Sequence, residues 1–285
     1  MTQTSAPNAG ENTGWSGRGG ANWVKARDVI DGFFAPIDAV IVSALPAIAE
    51  PTPQVLDVGC GTGSTGIKAA IHLSPDAKVL GVDLSDDMLA AAAARAKDHG
   101  LKGTFIKADA GTHDFDPGRM DLIVSRFGVM FFEDEVAAFQ NLRAAAKPGA
   151  SLRAIAWRGA EENPFMTLAE TVATPLLPEG TLPQRTPGGP GQFAFADGDR
   201  VADILARSGW RDIRVEPVDI ACTMPKDALL TYLTLLGPVG RIFHTLDEAT
   251  QTQVVNAVLP AFAPYVAGDT VRCTAACWKI SAEAP

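Results

Sequence analysis

The chain has few cysteines, and they are scattered. Only four occur among 285 residues, none of them in a C-x-x-C pair, and no histidine lies beside them at metal-ligand spacing. This pattern argues against a disulfide framework and against a zinc site, and it fits a reducing cytoplasm. We therefore expect no metal and a cytoplasmic location.

Basic residues are also scarce. Lysine and arginine total 24 against 33 acidic residues, which gives a net charge of -9, and the sequence has no lysine-rich run. Nucleic-acid-binding proteins usually carry a basic face, so we expect no nucleic acid partner. The overall composition, 47% hydrophobic and 20% charged, is typical of an ordinary globular protein.

Long uninterrupted apolar runs are missing as well. The N-terminus has no basic segment followed by an apolar core, so we expect no signal peptide. The most apolar stretch, residues 32–49, contains Pro36, Asp38 and Pro46, which a membrane-spanning helix would tolerate poorly. We expect a soluble protein without a membrane span. The sequence does not decide the oligomeric state, and a homodimer stays open.

One apolar run ends in three alternate glycines. Residues 55–65 read Val-Leu-Asp-Val-Gly-Cys-Gly-Thr-Gly-Ser-Thr. Residues 55–58 are typical of a strand buried on both faces, and residues 64–71 have a helix-compatible composition, so the glycines lie at a strand-to-helix turn. Such a turn lets the backbone approach a ligand closely.

The spacing of these glycines separates the candidate ligands. A dinucleotide fingerprint has the pattern G-x-G-x-x-G, but here the third glycine falls one residue early. The phosphate-binding pattern G-x-x-x-x-G-K-[ST] is also absent, because the next lysine is Lys68. The run instead resembles the first motif of class I S-adenosylmethionine-dependent methyltransferases. That resemblance implies a cofactor site that includes Asp57, Gly59, Gly61 and Gly63.

A second predicted strand ends in Asp83, 20 residues after Gly63. An ionised carboxylate at a strand end has two acceptor oxygens and can bind both hydroxyls of a ribose. The alternative, a helix-capping acid, is disfavoured because Ser85 is already a good N-cap. Asp83 is therefore predicted to bind the cofactor ribose, and the resemblance implies that Leu84 and Met88 line the adenine pocket.

A third predicted strand leads to Asp109, 26 residues after Asp83. A carboxylate accepts hydrogen bonds from an exocyclic amine such as that of adenine. Asp109, together with the backbone N–H of Ala110, resembles the adenine-recognition pair of the family. An ordinary loop aspartate is the alternative.

A fourth stretch extends the resemblance. The run D-L-I-V-S-R-F-G-V-M-F-F at residues 121–132 and the later L-R-x-x-x-K-P-G-A-x-L are similar to the methyltransferases of ubiquinone and menaquinone biosynthesis. The resemblance implies that Ser125, Arg126 and Phe127 lie beside the sulfonium end of the cofactor.

The order of predicted elements indicates an α/β fold with a doubly wound, seven-stranded, mostly parallel sheet. Pro217 marks residues 213–218 as an edge strand, whereas the final strand is apolar on both faces and belongs inside the sheet. The resemblance implies a Rossmann-like methyltransferase fold in which this last strand runs antiparallel. We divide the chain into an N-terminal arm with cap helices (1–51), a cofactor-binding core (52–160), a proline-rich lid insertion (161–196), a core helix with the edge strand (197–220), a helical cap insertion (221–268) and the final core strand (269–285).

Residues outside the core are candidates for the substrate side of the site. Trp15 and Trp23 are either core anchors or part of an arm that covers the cofactor cleft, as in a bacterial branch of the family. Tyr232 and Arg241 are candidates for orienting an acceptor, and Phe127 lies near them in the expected site. The cap is rich in Leu, Phe and Pro, which favours a small, mostly apolar acceptor.

The predicted reaction is in-line methyl transfer from S-adenosylmethionine, which leaves S-adenosylhomocysteine. A hydroxyl acceptor would benefit from a general base, whereas an amine or a stabilised carbanion needs none. His244 is the best-placed histidine for a base, with His113 in reserve, and a surface or structural role is the alternative. A non-catalytic S-adenosylmethionine-binding protein and a nicotinamide-dependent oxidoreductase are the competing functions.

Overall fold

The computed structural model describes residues 15–182 and 189–285. Part of the predicted N-terminal arm (1–14) and part of the predicted lid insertion (183–188) lie outside the described residues. Within the described ranges the strands are β1 (Gln54–Val58), β2 (Lys78–Asp83), β3 (Lys102–Lys107), β4 (Met120–Arg126), β5 (Ala146–Trp157), β6 (Arg211–Pro225), β7 (Val266–Ala267) and β8 (Thr270–Glu283).

These strands form one sheet in the order β3-β2-β1-β4-β5-β8-β6, with the short β7 paired to β8. The pairs among β1 to β5 are parallel, and β8 is antiparallel to both β5 and β6. The last strand therefore inserts beside the edge strand. The predicted mostly parallel sheet is confirmed, and the short β7 adds an eighth strand to the seven that were expected.

The helices cover the sheet and its carboxyl edge. A π-helical turn (Trp15–Gly19) precedes α1 (Gly20–Lys25), α2 (Arg27–Ser43), α3 (Ser64–Leu73), α4 (Asp86–Asp98), α5 (Glu135–Ala145), α6 (Pro164–Ala173), α7 (Gly198–Arg207), α8 (Ala228–Leu235), α9 (Gly237–Phe243) and α10 (Glu248–Ala261). None of the helices in the described ranges combines the length and apolar character needed to cross a bilayer.

The proline-rich insertion is not a continuous loop, because it contains α6. Pro164 is the first residue of this helix. Proline is tolerated there since its missing N–H would have no partner within the helix. Phe165 and Ala173 of α6 are buried, so apolar packing holds the helix in place.

The N-terminal arm packs on the core at two places. A Cβ atom on Gly20 would lie 1.9 Å from Ser85 Oγ, so α1 approaches the loop after β2 at a point where only glycine fits. Arg95 of α4 also forms an ion pair with Asp31 of α2. The arm is thereby held against α4 and the residue that caps it, Ser85.

The ends of the two central strands meet in a close backbone contact. A Cβ atom on Gly128 would lie 2.3 Å from the carbonyl oxygen of Val58 and 2.8 Å from Gly59 Cα. Ser125 supports this contact, because its Oγ donates to Val58 O at 2.8 Å and accepts from Gly128 N at 3.1 Å. The turns after β1 and β4 are therefore in direct contact.

We expect Gly128→Ala to lower the free energy of unfolding by about 2 kcal/mol or more, since the added methyl meets backbone that cannot move aside. Gly32→Ala is the matched control, because Gly32 is an exposed position in α2 with no atom near the new methyl. This control should stabilise the protein by about 0.5 kcal/mol. Urea denaturation measures both changes, and equal effects would contradict the contact.

Candidate functional site

A cleft opens where the carboxyl ends of β1, β2 and β4 face the cap. It encloses a cavity of about 230 Å³. Its lining comes from the turn that follows β1, from the ends of β4 and β5, and from side chains of α1, α2, α6, α8 and α9. Ligands of open α/β sheets bind at this edge.

The glycine turn presents bare backbone to the cleft. Gly59, Gly61 and Gly63 have φ angles of 64°, 52° and 82°, in the left-handed region that favours glycine. Gly59 and Gly61 line the cleft, and the nearest atom to a Cβ on Gly61 would be Met88 Sδ at 3.8 Å. Gly63 does not line it, because this residue packs against Ala92 where α3 begins.

Asp83 holds this turn from the end of β2. Its Oδ2 accepts a hydrogen bond from Gly61 N at 2.9 Å, and its Oδ1 accepts from Ser85 N at 3.0 Å. Burial raises the pKa of this carboxyl group, against the effect of these backbone donors. Asp83 lines the cleft, and each of its oxygens keeps acceptor capacity for a ligand hydroxyl.

The other predicted adenosine contacts lie along the same side. Leu84, Met88 and Ala110 all line the cleft, as does Asp109. Asp109 is exposed at the rim, where its Oδ1 accepts from Gly111 N at 2.8 Å. The structure thus brings the three predicted strand ends together at one edge.

Asp57 does not line the cleft. Its Oδ2 accepts from Gly66 N at 2.8 Å, and a Cβ on Gly66 would lie 2.6 Å from the same oxygen. Burial raises the pKa of Asp57 to about 7, and the Gly66 hydrogen bond and Arg126 only partly oppose this. The side chain fixes α3 against β1, so the predicted cofactor role finds no direct contact here.

Ser125 is likewise fully buried and outside the cleft, since its hydroxyl is used in the contact between the β1 and β4 turns. The next predicted residue, Phe127, does line the cleft. It has a φ of 69°, and its ring stacks on Trp157 at 4.2 Å between centroids. Phe34 packs edge-on against Phe127 at 5.5 Å. These rings form an aromatic wall.

The arm and the cap insertion meet across the cleft. Trp15 lies edge-on to Trp23 at 5.5 Å and to Phe131 at 5.6 Å, and the Arg241 guanidinium lies 5.1 Å from the Trp15 ring. All four of these residues line the cleft, as does Tyr232. Burial raises the pKa of the Tyr232 phenol, so it is protonated at neutral pH.

The structure places the predicted bases away from this cleft. His244 is exposed in the turn that follows α9 and does not line the cleft. His113 borders a groove at the opposite, amino end of the strands, beside Phe115. Because His244 does not line the cleft, the structure gives no support to its predicted role as a general base.

Asp38 is a residue beside the cleft that no sequence motif identifies. In the sequence it stands out only as a charge that interrupts an apolar run, yet the side chain is 1% exposed and accepts hydrogen bonds from Ser64, Thr65, Lys68 and Arg126. Burial alone would raise its pKa, but Arg126 and Lys68 bring the pKa below its ordinary value. An acid within an apolar helix face was the available signal.

We expect Asp57→Asn to gain stability over the parent protein as pH rises. The raised pKa means that native Asp57 holds a proton between about pH 4 and the folded pKa of about 7 that the unfolded chain releases. Wild-type stability therefore contains a penalty that grows with pH across this window, and asparagine avoids it while keeping an acceptor for Gly66. Thermal unfolding at pH 4 to 8 measures the difference in melting temperature between variant and parent.

The control for this series is Asp134→Asn. Asp134 is an exposed carboxylate that also accepts from backbone, capping α5 through Ala137 N at 2.9 Å. Asparagine is an equally good cap, and this difference should vary little with pH. A difference for Asp57→Asn that stays constant from pH 4 to 8 would refute the burial argument.

The chain is similar to methyltransferases in sequence. A family model for the methyltransferase domain matches residues 55–149. The chain is 25% identical over 241 residues to nocamycin O-methyltransferase of Saccharothrix syringae, covering 80% of this chain and 82% of that protein. It is 32% identical over 106 residues to demethylmenaquinone methyltransferase of Thermus thermophilus, covering 37% of this chain and 48% of that protein.

The fold is also similar to that of solved structures. The structure of phosphoethanolamine N-methyltransferase 2 of Haemonchus contortus matches 92% of this chain and 57% of that chain, with a TM-score of 0.57 and 21% sequence identity.

The chain spans 43% of the length of the uncharacterised Mycobacterium tuberculosis protein to which it is 33% identical over 123 residues. Residues 55–149, the region that the family model matches, hold the glycine turn and the strand ends that carry the resemblance, and this part of the chain is therefore a methyltransferase domain.

Proposed function

We propose that this chain transfers the methyl group of S-adenosylmethionine to a small, largely apolar organic acceptor. The observation that carries the proposal is a single cleft that joins two kinds of wall. Glycine backbone and Asp83 form one side, and the aromatic rings of Phe34, Phe127 and Trp157 form the other. A donor and an acceptor can therefore share one enclosed space.

The residues of the first wall fit an adenosine group. The position of a Cβ on Gly61 is open, so a ligand can lie directly on the peptide. Asp83 offers acceptor oxygens for ribose hydroxyls, and Asp109 with the Ala110 N–H would hold the adenine edge. Leu84 and Met88 supply apolar surface for the base. Asp57 would act from behind the turn, through its hold on Gly66.

Bound S-adenosylmethionine supplies a methyl group activated by a sulfonium, which is transferred by in-line displacement. The contribution of the protein to such a reaction is alignment of the reactants and exclusion of water. Trp15, Trp23 and Phe131 pack together on the cap side of the cleft, and Arg241 covers the Trp15 ring. We assign these residues to shielding the cleft from solvent.

The second wall limits the class of acceptor. Phe165 packs edge-on to Trp157 at 6.2 Å and to Phe33 at 6.0 Å, which continues the aromatic surface towards Tyr232. Sites of this kind bind mainly apolar molecules and use a few polar groups for orientation. Tyr232 and Arg241 are the proposed orienting groups, with the protonated phenol acting as a hydrogen-bond donor.

We also propose a cytoplasmic location. The support is that all four cysteines are buried free thiols, as expected in a reducing compartment. The small-molecule acceptor is proposed in place of nucleic acid because the sequence is acidic overall, with a net charge of -9.

Thermal shift separates the proposal from a nicotinamide-dependent oxidoreductase. S-adenosylhomocysteine should raise the melting temperature in a dose-dependent way, and NAD or NADP should not, because only a ligand of the native state stabilises it. Release of S-adenosylhomocysteine from S-adenosylmethionine with a panel of phenols, enols, amines and thiols then tests catalysis. Binding without turnover on a broad panel would favour the non-catalytic alternative.

We expect Asp83→Ala to weaken the binding of S-adenosylhomocysteine at least about tenfold, since a carboxylate that positions the turn and accepts from the ligand is lost. Isothermal titration calorimetry measures the affinity. Asp86→Ala is the control, because Asp86 is an exposed acid nearby that pairs with Lys107. Unchanged affinity in Asp83→Ala would remove this residue from the site.

We expect His244→Ala to leave both cofactor affinity and turnover unchanged, because this imidazole lies outside the cleft. Tyr232→Phe should instead weaken acceptor binding, seen as a raised KM for any acceptor found with the panel, while leaving the affinity for S-adenosylhomocysteine intact. A large loss of turnover in His244→Ala would restore the histidine as a base.

A further inference from the structure

Asp38 accepts more hydrogen bonds than its place in an apolar helix suggests. Its carboxylate accepts from Ser64 Oγ at 2.8 Å, Thr65 Oγ1 at 2.7 Å, Lys68 Nζ at 2.7 Å and Arg126 Nη1 at 2.9 Å. A carboxylate has about four acceptor sites, so these donors use its full capacity. Asp38 therefore joins α2, the start of α3 and the end of β4.

Two of these donors also face the cleft. Thr65 and Arg126 line the cavity together with the glycine turn. Arg126 is the last residue of β4, next to the contact between the turns, and its side chain is only 11% exposed. Its guanidinium carbon lies 5.5 Å from the centre of the Phe34 ring. A cation is thus fixed in the wall of a largely apolar cavity.

The charge of Arg126 should affect the two forms of the proposed cofactor differently. S-adenosylmethionine carries a sulfonium charge that S-adenosylhomocysteine lacks, while the rest of the two molecules is the same apart from one methyl group. A guanidinium in the same cavity repels the sulfonium unless an anion lies beside it, and water screens this repulsion poorly at a partly buried site. The Asp38 carboxylate lies beside the Arg126 guanidinium and is 1% exposed, so it supplies this anion.

Lys68 is the second cation that pairs with Asp38, and its charge is the more exposed of the two. Lys68 is a cation on the outer side of α3, and its side chain is 43% exposed. Solvent screens its charge more effectively than that of Arg126. The ion pair with Arg126 is therefore the less screened of the two ion pairs of Asp38.

We propose that Asp38 is a positioning residue that neutralises Arg126 and thereby lets the cleft accept the cationic, methyl-bearing form of the cofactor. The inference rests on the proposed function. It goes beyond that function because it predicts how the affinities of two nearly identical ligands diverge when one buried charge is removed.

The test compares the affinities of S-adenosylmethionine and S-adenosylhomocysteine by calorimetry in the full chain. In Asp38→Asn the shape of the side chain is kept, but the charge is lost. We expect the affinity for S-adenosylmethionine to fall about tenfold more than the affinity for S-adenosylhomocysteine, since only the former carries the repelled charge. A merely structural role would weaken both ligands alike.

Two further variants guard against a folding defect. Arg126→Gln should shift the ratio of the two affinities in the opposite direction, towards S-adenosylmethionine, and the double variant should return it close to the parent ratio. Ser64→Ala is the matched control, because it removes one hydrogen bond to Asp38 without changing charge. This control should move both affinities equally. Circular dichroism verifies that each variant is folded, and the Arg126→Gln ratio still decides the matter if Asp38→Asn is unstable.

The outcomes separate this inference from the proposed function. A parent protein that binds neither ligand overturns both. A parent that binds both ligands, with an affinity ratio unchanged in Asp38→Asn and in Arg126→Gln, overturns the role of Asp38 and leaves the cofactor assignment standing.

Discussion

The backbone contact between the turns after β1 and β4 is the constraint on which the site depends. Gly59 and Gly128 approach so closely that neither position has room for a Cβ atom. Ser125 bridges the two turns through its hydroxyl. Because this contact fixes the glycine turn relative to Phe127, the adenosine wall and the aromatic wall have a set separation. The cleft is therefore largely formed before any ligand binds.

The second constraint is that the carboxylates of the site are occupied by backbone before they meet a ligand. Asp83 accepts from Gly61 and Ser85, and Asp109 accepts from Gly111. Such bonds fix the direction of each carboxylate, which lowers the entropy cost of binding. The same bonds explain why substitution of Asp83 would act on the turn as well as on the ligand.

The sequence predicted the backbone of the site better than its side chains. Alternate glycines after an apolar run and acids at strand ends follow from strand length and turn geometry, so Gly59, Gly61, Asp83 and Asp109 were found at the cleft. Side-chain direction at such an end is a tertiary property. Asp57 and Ser125 lie within two buried strands and turn their polar atoms to neighbouring backbone, which no local pattern distinguishes from a turn towards a ligand.

Predictions from the cap were weaker because its helices come from separated parts of the chain. Trp23 and Arg241 were found at the cleft, where the arm and α9 meet over Trp15. His244 is only three residues beyond Arg241, but α9 ends at Phe243 and the histidine lies in an exposed turn. Closeness in sequence to a cleft residue therefore does not place His244 at the cleft.

The charges beside the cleft show that the N-terminal arm does more than cover the site. Asp83 belongs to the core, and burial raises the pKa of its carboxyl group. Asp38 belongs to α2 of the arm, and Arg126 and Lys68 offset its burial and lower its pKa, so it stays ionised. The buried carboxylate that pairs with Arg126 at the cleft is therefore supplied by the N-terminal segment. A core without this segment would keep the glycine turn but would leave Arg126 without its buried counter-ion. The charge balance at the cleft therefore depends on both the arm and the sheet.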